Sequence, residues 1–342
     1  MEPDSSRENT EPFVGRGYMK ILQEKLASIA GATGFRVDAV EKIIHLLNLL
    51  DKLNSHPFLK GKLALKGGTA LNLFIFDMPR LSIDIDVNYI GSEKRELMLA
   101  DRPKIEQAVQ AIFSREGFSI GRMPTEHAGG KWRLNYRSIT GQIGTLEFDL
   151  NFMFRVPLWD TQKMDSRDLG GFQAKGVPVL NIHELAAGKL AALFARHEAR
   201  DLFDVHQLLC HAKLNKSHLR TVFVVYGALN RKDWRTISLE DISLEPKELS
   251  QMLSPVLHRN AVPNGMDILE FAQRLVEECK KQLSYVFPFS KQETEFLNRV
   301  IEKGEIDPSL LSSDPDVQER IKRHPMLLWK AQNVRTHFGF SE

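Results

Sequence analysis

The sequence predicts an α+β protein in which a half that contains strands is followed by an almost entirely helical half. Short segments of alternating apolar residues lie between residues 63 and 154. From Ile182 onward, after a capping-box pattern at Asn181 and Glu184, apolar residues recur at helical spacing. The 342 residues are enough for two folded units. The expected parts are a flexible lead at 1–16, a core with two N-terminal helices at 17–180 and a helical domain at 181–342.

Two helices and a short strand precede the first informative motif. Apolar residues at helical spacing predict helices over Tyr18 to Ala30 and over Val37 to Leu53. Leu63-Ala64-Leu65 predicts a strand that ends at Gly67-Gly68. Thr69 to Phe76 then predicts a helix whose first residue could cap it. The two glycines therefore lie in a tight turn between a strand and a helix.

The alternation of apolar and polar residues from Leu81 to Val87 predicts a half-buried strand. Asp84 and Asp86 share its polar face, because successive strand residues point to opposite sides. A helix within Arg95 to Glu116, interrupted near Pro103, should follow. Three further strands are expected at Phe118 to Gly121, Trp132 to Tyr136 and Gly144 to Phe154.

Composition and charge exclude several classes of protein. The net charge is +2, from 46 basic and 44 acidic side chains, so overall charge gives no support for nucleic-acid binding. Cys210 and Cys279 are too few and too far apart for a disulfide scaffold or a metal motif, which favours a reducing cytoplasm. Since the sequence has no run of ~18 or more apolar residues, neither membrane insertion nor secretion is expected.

The glycine turn and the Asp-x-Asp pair together predict triphosphate chemistry. A turn at Gly67-Gly68 can direct backbone N–H groups at a phosphate, and Asp84 and Asp86 can hold divalent metals. Alone, the pair is more typical of a solvent-exposed strand. Asp149, on the last predicted strand, supplies a carboxylate from a second strand, as two-metal nucleotidyl transfer requires. Glu147 shares the face of Asp149 and could take its place.

The first long helix of the second half carries another set of charged residues. Lys189 and Arg196 can lie along one polar stripe that would suit a triphosphate, although a solvated helix edge explains them equally well. In the next segment, Arg200 and Asp204 have the i,i+4 spacing of an intrahelical ion pair. These residues alone leave both interpretations open.

Four motifs occur in an order that resembles a known family. Lys-Gly-Gly-Thr-Ala-Leu begins at Lys66 and Arg-x-Ser-x-Asp-Ile-Asp at Arg80, and a helix with Lys189 then precedes Arg-Asp-x-x-Asp at Arg200. Over roughly residues 62–210, the chain resembles the AbiEii nucleotidyltransferase toxins of type IV toxin–antitoxin and abortive-infection systems. The resemblance implies a DNA polymerase β-like nucleotidyltransferase core, with a mixed sheet flanked by helices, and an α-helical C-terminal domain.

The resemblance also implies roles for residues at matching positions. Lys189 would contact the nucleotide, and Asp201 would either support Lys189 or assist the acceptor. Asp204 would either join the nucleotide site or only hold Arg200, and Lys66 would contact phosphate or face solvent. The implied catalytic residues are Asp84, Asp86, Asp149, Lys189 and Asp201, the first three as metal ligands. The implied nucleotide-binding residues are Lys66, Gly68, Thr69, Arg80, Ser82, Lys189 and Asp204.

The cofactor that the resemblance implies is Mg²⁺, as two ions, with Mn²⁺ as an alternative, and the implied substrate is an NTP. The acceptor hydroxyl would belong to RNA, with the 3′ end of tRNA as one candidate, and family members pair with a winged-helix antitoxin. Two alternatives are transfer to a small molecule or a protein, and a non-catalytic nucleotide- or RNA-binding module. A binding module has no need to hold three repelling carboxylates together.

A basic stretch after these motifs is the sequence's own indication of RNA. Its cations could neutralise an RNA backbone and Trp234 could stack on a base, although basic helices are more often only solvated surfaces. The basic residues are Lys213, Lys216, Arg220, Arg231, Lys232 and Arg235. Four histidines nearby lie on different helix faces, so we expect no zinc site. They are His183, His197, His206 and His211.

Overall fold

A mixed sheet forms much of the first half of the protein. The computed structural model describes residues 16–124, 126 and 128–339, and the sheet has seven strands within these residues. The strands are β1 (Leu63–Lys66), β2 (Asp84–Tyr89), β3 (Ser119–Arg122), β4 (Gly129–Arg137), β5 (Ile143–Asn151), β6 (Gln162–Met164) and β7 (Val177–Val179). Their order is β3-β4-β5-β2-β1-β7-β6, with β2–β5 and β1–β7 parallel and the other pairs antiparallel.

Helices flank this sheet and build the second half. The α-helices of the first half are α1 (Arg16–Thr33), α2 (Val37–Ser55), α3 (Gly67–Ala70) and α4 (Arg95–Arg115). Those of the second half are α5 (Ile182–Arg196), α6 (Ala199–His211), α7 (Lys216–Ala228), α8 (Pro246–Glu248), α9 (Ile268–Leu283), α10 (Lys291–Asn298), α11 (Pro315–Arg323) and α12 (Pro325–Phe338). Turns of π-helix lie at Leu71–Ile75, Leu249–Leu253 and Arg299–Lys303, and 3₁₀ turns at Trp234–Thr236, Leu239–Asp241, Ser254–Val256 and Pro308–Leu310.

One face of the sheet is buried against α2 and α4. The ring centroid of Phe113 on α4 lies 5.9 Å from that of Trp132 on β4 and 5.3 Å from that of Phe148 on β5. His45 on α2 contacts Tyr136 on β4, with 4.3 Å between the ring centroids. Because side chains alternate along a strand, the polar residues between these aromatic residues lie on the opposite face. We call that opposite side of β2, β5, β4 and β3 the open face.

The register between β2 and β5 places four acidic residues side by side on the open face. Asp84 lies opposite Glu147, and Asp86 lies opposite Asp149. Alternating patterns predicted both strands, and the structure confirms that the predicted carboxylates share one side. The shared side follows from the two-residue period of a strand, which local sequence can reveal.

Several predicted ends in the first half are shifted. The predicted lead at 1–16 lies outside the described residues except for Arg16, which begins α1. β2 begins at Asp84 rather than at Leu81. The predicted interruption at Pro103 is wrong, because α4 runs through this residue. Proline removes only one helical hydrogen bond, and the helix beyond it is anchored by burial. The buried residues there are Ile105, Val109, Ile112 and Phe113.

The helix after the glycine turn also differs from the prediction. α3 begins at Gly67, with Lys66 at the N-cap position, and passes into the π-helical turn that follows it. Thr69 therefore lies inside the helix and does not cap it. Its hydroxyl instead donates a hydrogen bond to the backbone carbonyl of Asp84 at 2.5 Å. This bond joins α3 to the start of β2, so a tertiary contact has replaced the predicted cap.

Asn181 caps α5 as predicted, since its side chain accepts a hydrogen bond from the backbone N–H of His183. The capping-box part of that prediction is wrong. The Glu184 carboxylate accepts from the backbone N–H of Trp159 and from the Tyr226 hydroxyl, and so has its partners outside the helix end. Tertiary contacts have replaced the local motif.

Strands give way to helices near residue 180, as the sequence predicted, since β7 ends at Val179 and α5 begins at Ile182. Buried apolar side chains nevertheless form one continuous cluster through both halves. The division into domains at 17–180 and 181–342 therefore stays a prediction. None of the described helices combines the length and the hydropathy that a membrane span requires.

Candidate active site

Asp84, Asp86 and Asp149 lie together on the open face and line a cleft of about 650 Å³. The turn between β1 and α3 bounds this cleft on one side, and α5 contributes another wall. Among the described residues, the nearby cations Lys131 and Lys189 form their ion pairs with other carboxylates. Burial raises the pKa of Asp84, and the charges of Asp86 and Glu147 raise it further. Burial also raises the pKa of Asp149, against the opposing charge of Lys66.

The chemistry of this donor set suits a divalent cation, and a bound cation would draw the three carboxylates together, since their oxygens do not all lie within 4.8 Å of one another. Asp86 and Asp149 are register partners on neighbouring strands, and Asp84 is two residues along the same face. Carboxylate oxygens are the ligands that Mg²⁺ prefers in proteins. A bound cation would relieve the crowding of negative charge that contributes to the raised pKa of Asp84. These three aspartates are therefore the residues that would hold metal.

The glycine turn packs so closely against Asp86, Ser82 and Arg80 that larger residues do not fit. Gly67 has φ +74°, and a Cβ atom added there would lie 2.5 Å from Oδ2 of Asp86. A Cβ atom at Gly68 would lie 2.7 Å from Oγ of Ser82 and 2.8 Å from Nη2 of Arg80. Glycine at both positions therefore lets the turn pack against β2 and the residues just before it.

The predicted nucleotide-binding residues divide into two groups by position. Lys66, Gly68 and Ser82 line the cleft, as does the buried Arg80. Thr69 is fully buried and its hydroxyl is bonded to the backbone at the start of β2. The hydroxyl of Thr69 therefore fixes the backbone of Asp84 from the side of α3 and does not face the cleft.

A buried network of charges connects Arg80, which contacts the glycine turn, to the helical half. Arg80 donates to Asp204 through Nε at 2.7 Å and through Nη2 at 2.5 Å. Lys189 lies 2.8 Å from the same carboxylate and donates to Asp201 at 3.0 Å. Arg196 donates to the other oxygen of Asp201 at 2.7 Å. The network thus ties the segment before β2 to α5 and α6.

The predicted intrahelical pair between Arg200 and Asp204 is wrong. Arg200 lies 3.5 Å from Glu198, whereas Asp204 faces inward to Arg80 and Lys189. Asp204 is only 1% exposed, and a buried carboxylate requires partners that are buried with it. Burial therefore determined the ion-pair partners of Asp204 more strongly than its i,i+4 spacing from Arg200 did.

The network keeps its members charged. Burial alone would raise the pKa of Asp204, but Arg80 and Lys189 lower it to about 2. Burial likewise opposes the charge of Lys189, yet Asp204 and Asp201 raise its pKa above the ordinary value. Lys189 therefore remains a cation at neutral pH in the wall of the cleft. Such a cation can interact with a phosphate group.

The contacts of Glu147 and Asp149 bear on which of them is the third carboxylate of the site. Glu147 accepts a hydrogen bond from Lys131 Nζ at 2.9 Å, and this bond raises the pKa of Lys131. Asp149 is beside Asp86 in the register and close to the glycine turn. The arrangement favours Asp149 as the third carboxylate, with Glu147 occupied by a lysine.

Comparison with known proteins identifies the family of this protein. The family model described as nucleotidyl transferase AbiEii toxin, type IV TA system, matches residues 48–276. The protein belongs to this family. It is therefore a nucleotidyltransferase, and the predicted family resemblance is confirmed. A search of the curated proteins finds no match.

A solved structure with a similar fold is MenT4, a nucleotidyltransferase toxin from Mycobacterium tuberculosis H37Rv. The two chains share 16% sequence identity with a TM-score of 0.54, over 91% of this chain and 98% of that one. The similarity extends over both halves and confirms the predicted α+β fold class.

Several residues of the AbiEii cleft were missed by sequence reasoning, and three of them stand out for their charge or hydrogen bonding. Lys131, Glu184 and Tyr226 line it together with the predicted residues. Tyr226 Oη donates to Glu184 at 3.0 Å, and burial raises the pKa of Glu184 to about 7. Alternation along β4 could have placed Lys131 on the open face. The pairing of Glu184 with Tyr226 depends on the packing of α7 against α5, which no local pattern predicts.

One group among the described residues brings possible metal ligands together outside the AbiEii cleft. The donor atoms of His206, Cys210 and Glu278 lie within 4.8 Å of one another. Sequence reasoning had not paired His206 with Cys210, although they are four residues apart on α6. His206 is hydrogen-bonded to Glu278 at 2.6 Å and Arg274 also binds Glu278, so protein contacts account for the group.

Several residues of the basic stretch that sequence reasoning connected with RNA are engaged in internal contacts. Trp234 is fully buried, so the predicted stacking on a base is wrong. Arg220 pairs with Glu293, and Arg235 pairs with Asp233 at 2.7 Å. An aromatic residue within a basic segment is often part of the core, as it is here.

Proposed function

We propose that this nucleotidyltransferase transfers an NMP group from an NTP to a hydroxyl of RNA, with pyrophosphate as the leaving group. The 3′ end of tRNA is the first candidate for that hydroxyl. The observation that carries the proposal is the close approach of the glycine turn to Asp86, which shares the open face with Asp84 and Asp149. A phosphate-binding turn beside a metal-binding set is the arrangement that transfer at a phosphate requires.

Each part of the cleft has a role in this proposal. Asp84, Asp86 and Asp149 would hold two Mg²⁺ ions, or Mn²⁺ in their place, which supply activation of the acceptor oxygen and neutralise the leaving pyrophosphate. Backbone N–H groups of the turn at Gly67-Gly68 orient the triphosphate, and Lys189 adds positive charge. The acceptor oxygen bonds to the α-phosphorus as the bond to the pyrophosphate oxygen breaks, and the hydroxyl proton passes to water.

The buried network gives Asp201 and Asp204 supporting roles. Asp201 holds Lys189 and Arg196, both of which line the cleft, and Asp204 holds Arg80 and Lys189. Neither carboxylate has an oxygen free of a basic partner, so we assign both to positioning rather than to contact with the acceptor. Lys66 and Ser82 line the cleft and complete the nucleotide site in this proposal.

Membership of a type IV toxin–antitoxin family supports the proposal that the protein is a toxin with an antitoxin partner. We propose a winged-helix protein as that partner and the cytoplasm as the compartment. Cys210 and Cys279 are both free thiols, which is usual in a reducing compartment.

Two other functions would use the same fold. One is transfer to a small molecule or a protein, and the other is nucleotide or RNA binding without catalysis. Incubation with each labelled NTP, Mg²⁺ and either total RNA or a protein extract separates them. Label in RNA supports our proposal, label in protein or a small molecule replaces the acceptor, and no labelled product in any reaction supports the binding module.

The substitution Asp86→Asn tests the catalytic assignment. We expect the transfer rate to fall by about a hundredfold or more, because the variant loses a metal-binding charge at the α-phosphate. Asp38→Asn changes an aspartate that is exposed on α2 and is the matched control, with an unchanged rate expected. Circular dichroism should show that both variants are folded. Activity of Asp86→Asn within tenfold of the natural protein would contradict the assignment.

A further inference from the structure

The open face of the sheet continues beyond the aspartates as a basic surface. On β4, Lys131 lies opposite Asp149, Arg133 opposite Glu147 and Arg137 opposite Ile143. Residues opposite each other in an antiparallel pair project to the same side. The cations of β4 therefore share the open face with the carboxylates of β5.

Three arginines on this surface lack acidic partners. Arg122 on β3 lies opposite Arg133 on β4, and Arg137 is four residues further along β4. All three are exposed, and within the described part of the chain no carboxylate comes within ion-pairing distance of them. We call Arg122, Arg133 and Arg137 the arginine track.

The arginine track is unfavourable for the isolated fold. Like charges directly opposite each other on neighbouring strands destabilise a sheet, as the pair of Arg122 and Arg133 must do. Lys131 differs from the track, because its charge is balanced by Glu147. An anionic ligand would offset the repulsion within the track.

The strand order determines from which side the acceptor can approach the aspartates. The glycine turn follows β1, on one side of the aspartates of β2 and β5, whereas β4 and β3 lie on the other side. The leaving and attacking oxygens of a phosphoryl group in transfer lie roughly in line, on opposite sides of the phosphorus. With the triphosphate at the glycine turn, the acceptor must therefore approach from the side of β5, β4 and β3.

From these observations, and on the basis of the proposed function, we propose that the arginine track binds the phosphodiester backbone of the RNA acceptor and leads its 3′ end to the aspartates. Residues on one face of a strand recur about every 7 Å, so the surface from Lys131 to Arg137 is roughly 20 Å long. This length accommodates several nucleotides of a single strand. Phosphate contacts of this kind position RNA without reading its sequence.

Binding of a short, 5′-fluorescein-labelled single-stranded RNA tests the proposal directly. Fluorescence anisotropy is measured without NTP at several salt concentrations, for the natural protein and for Arg133→Gln/Arg137→Gln. We expect the double variant to bind at least about tenfold more weakly, with the slope of log K against log salt reduced by about 1.4, or 0.7 for each lost contact. Lys104→Gln/Arg115→Gln removes two exposed charges from α4, behind the sheet, and should leave both quantities unchanged.

The labelling reaction with NTP and Mg²⁺ is run in parallel, so that the track and the proposed function are tested separately. An unchanged affinity and slope for Arg133→Gln/Arg137→Gln overturn the track, and so does a natural protein that does not bind the RNA. If the natural protein binds RNA through the track but labels none, the proposed acceptor is wrong, and the track stands as an RNA-binding surface that does not deliver an acceptor. A reduced kcat/KM for RNA at an unchanged KM for NTP supports both.

Discussion

At the scale of single residues, two arginine–aspartate pairs in this protein have the same geometry but different burial. Arg80 reaches Asp204 through Nε and Nη2, and both side chains are at most 4% exposed. Arg36 reaches Asp38 through the same atoms, at 3.0 and 2.9 Å, but these side chains are 73% and 65% exposed. Burial should decide what each pair contributes to stability.

Replacing the arginine of each pair by leucine measures this difference. We expect Arg80→Leu to lower the free energy of unfolding by about 3 kcal/mol, because it leaves a buried carboxylate with one fewer cation. Arg36→Leu should cost less than about 1 kcal/mol, since water solvates the remaining charge. Urea denaturation gives both values. Equal costs for the two variants would show that burial is not the cause.

Glu184 should make stability depend on pH in a direction unusual for a carboxylate. Its pKa is about 7 in the folded protein, against an ordinary value of 4.5, mainly because burial disfavours the charge. The folded state therefore holds the proton more tightly than the unfolded state does. As pH rises from about 4.5 to 7, this residue should lose about 3 kcal/mol of stabilisation, and the loss is complete above pH 7.

Glu184→Gln isolates this effect, because glutamine has a similar shape and does not titrate. The difference in unfolding free energy between the variant and the natural protein should shift in favour of the variant by up to about 3 kcal/mol between pH 4.5 and pH 8. Denaturation at a series of pH values measures it. A difference that stays constant with pH would mean that Glu184 titrates normally.

At the scale of elements, the turn between β1 and α3 has to satisfy both its own backbone and the neighbouring strand. Gly67 and Gly61 have similar dihedral angles, φ +74° and +76°. A Cβ atom at Gly67 would meet Asp86, whereas one at Gly61 would have no atom within 4 Å among the described residues. The two positions therefore separate backbone strain from displacement of Asp86, a proposed metal ligand.

We expect Gly67→Ala and Gly61→Ala to destabilise the protein by a similar amount, roughly 1–2 kcal/mol, because both force alanine to a positive φ. Only Gly67→Ala should also lower the transfer rate, by about a hundredfold, because a shift of about 1 Å in a catalytic group can cost that much. Thermal unfolding and rate measurements on both variants test this. A full rate in Gly67→Ala would show that the turn does not set the position of Asp86.

Helices and strands could be predicted where apolar residues repeat with a regular period in the local sequence. The alternation in β2 and β5 gave both the strands and the side on which Asp84, Asp86 and Asp149 lie. The start of α3 and the partner of Thr69 were not predictable, because the hydroxyl binds a carbonyl on another element. The continuation of α4 through Pro103 depended likewise on burial against the sheet.

At the scale of the whole molecule, the helical half completes a site that begins on the sheet. Lys189, Asp201 and Asp204 come from α5 and α6, and Arg80 lies before β2. The buried cluster is continuous through both halves. The two halves are therefore expected to depend on each other for stability.

We expect thermal unfolding to show a single transition, with equal calorimetric and van't Hoff enthalpies, in spite of the length of the chain. The physical reason is that separation of the halves would expose part of the continuous core together with the charges of Arg80 and Asp204. Differential scanning calorimetry tests this. Two resolved transitions would support independent domains that divide near residue 180.

The sequence by itself determined the type of reaction, because the glycine turn and the Asp-x-Asp pair lie within about twenty residues and their geometry follows from local periods. Tertiary structure alone decided how Asp204 is paired and that Trp234 is buried. It also decided that arginines with no acidic partner in the described part of the chain continue the open face toward β3. Asp204 and Arg80 are 124 residues apart in the sequence. Such contacts form because burial removes charged and polar groups from water, so that these groups need partners inside the protein. Which groups become buried depends on the packed fold, and no repeating pattern in the sequence reveals it.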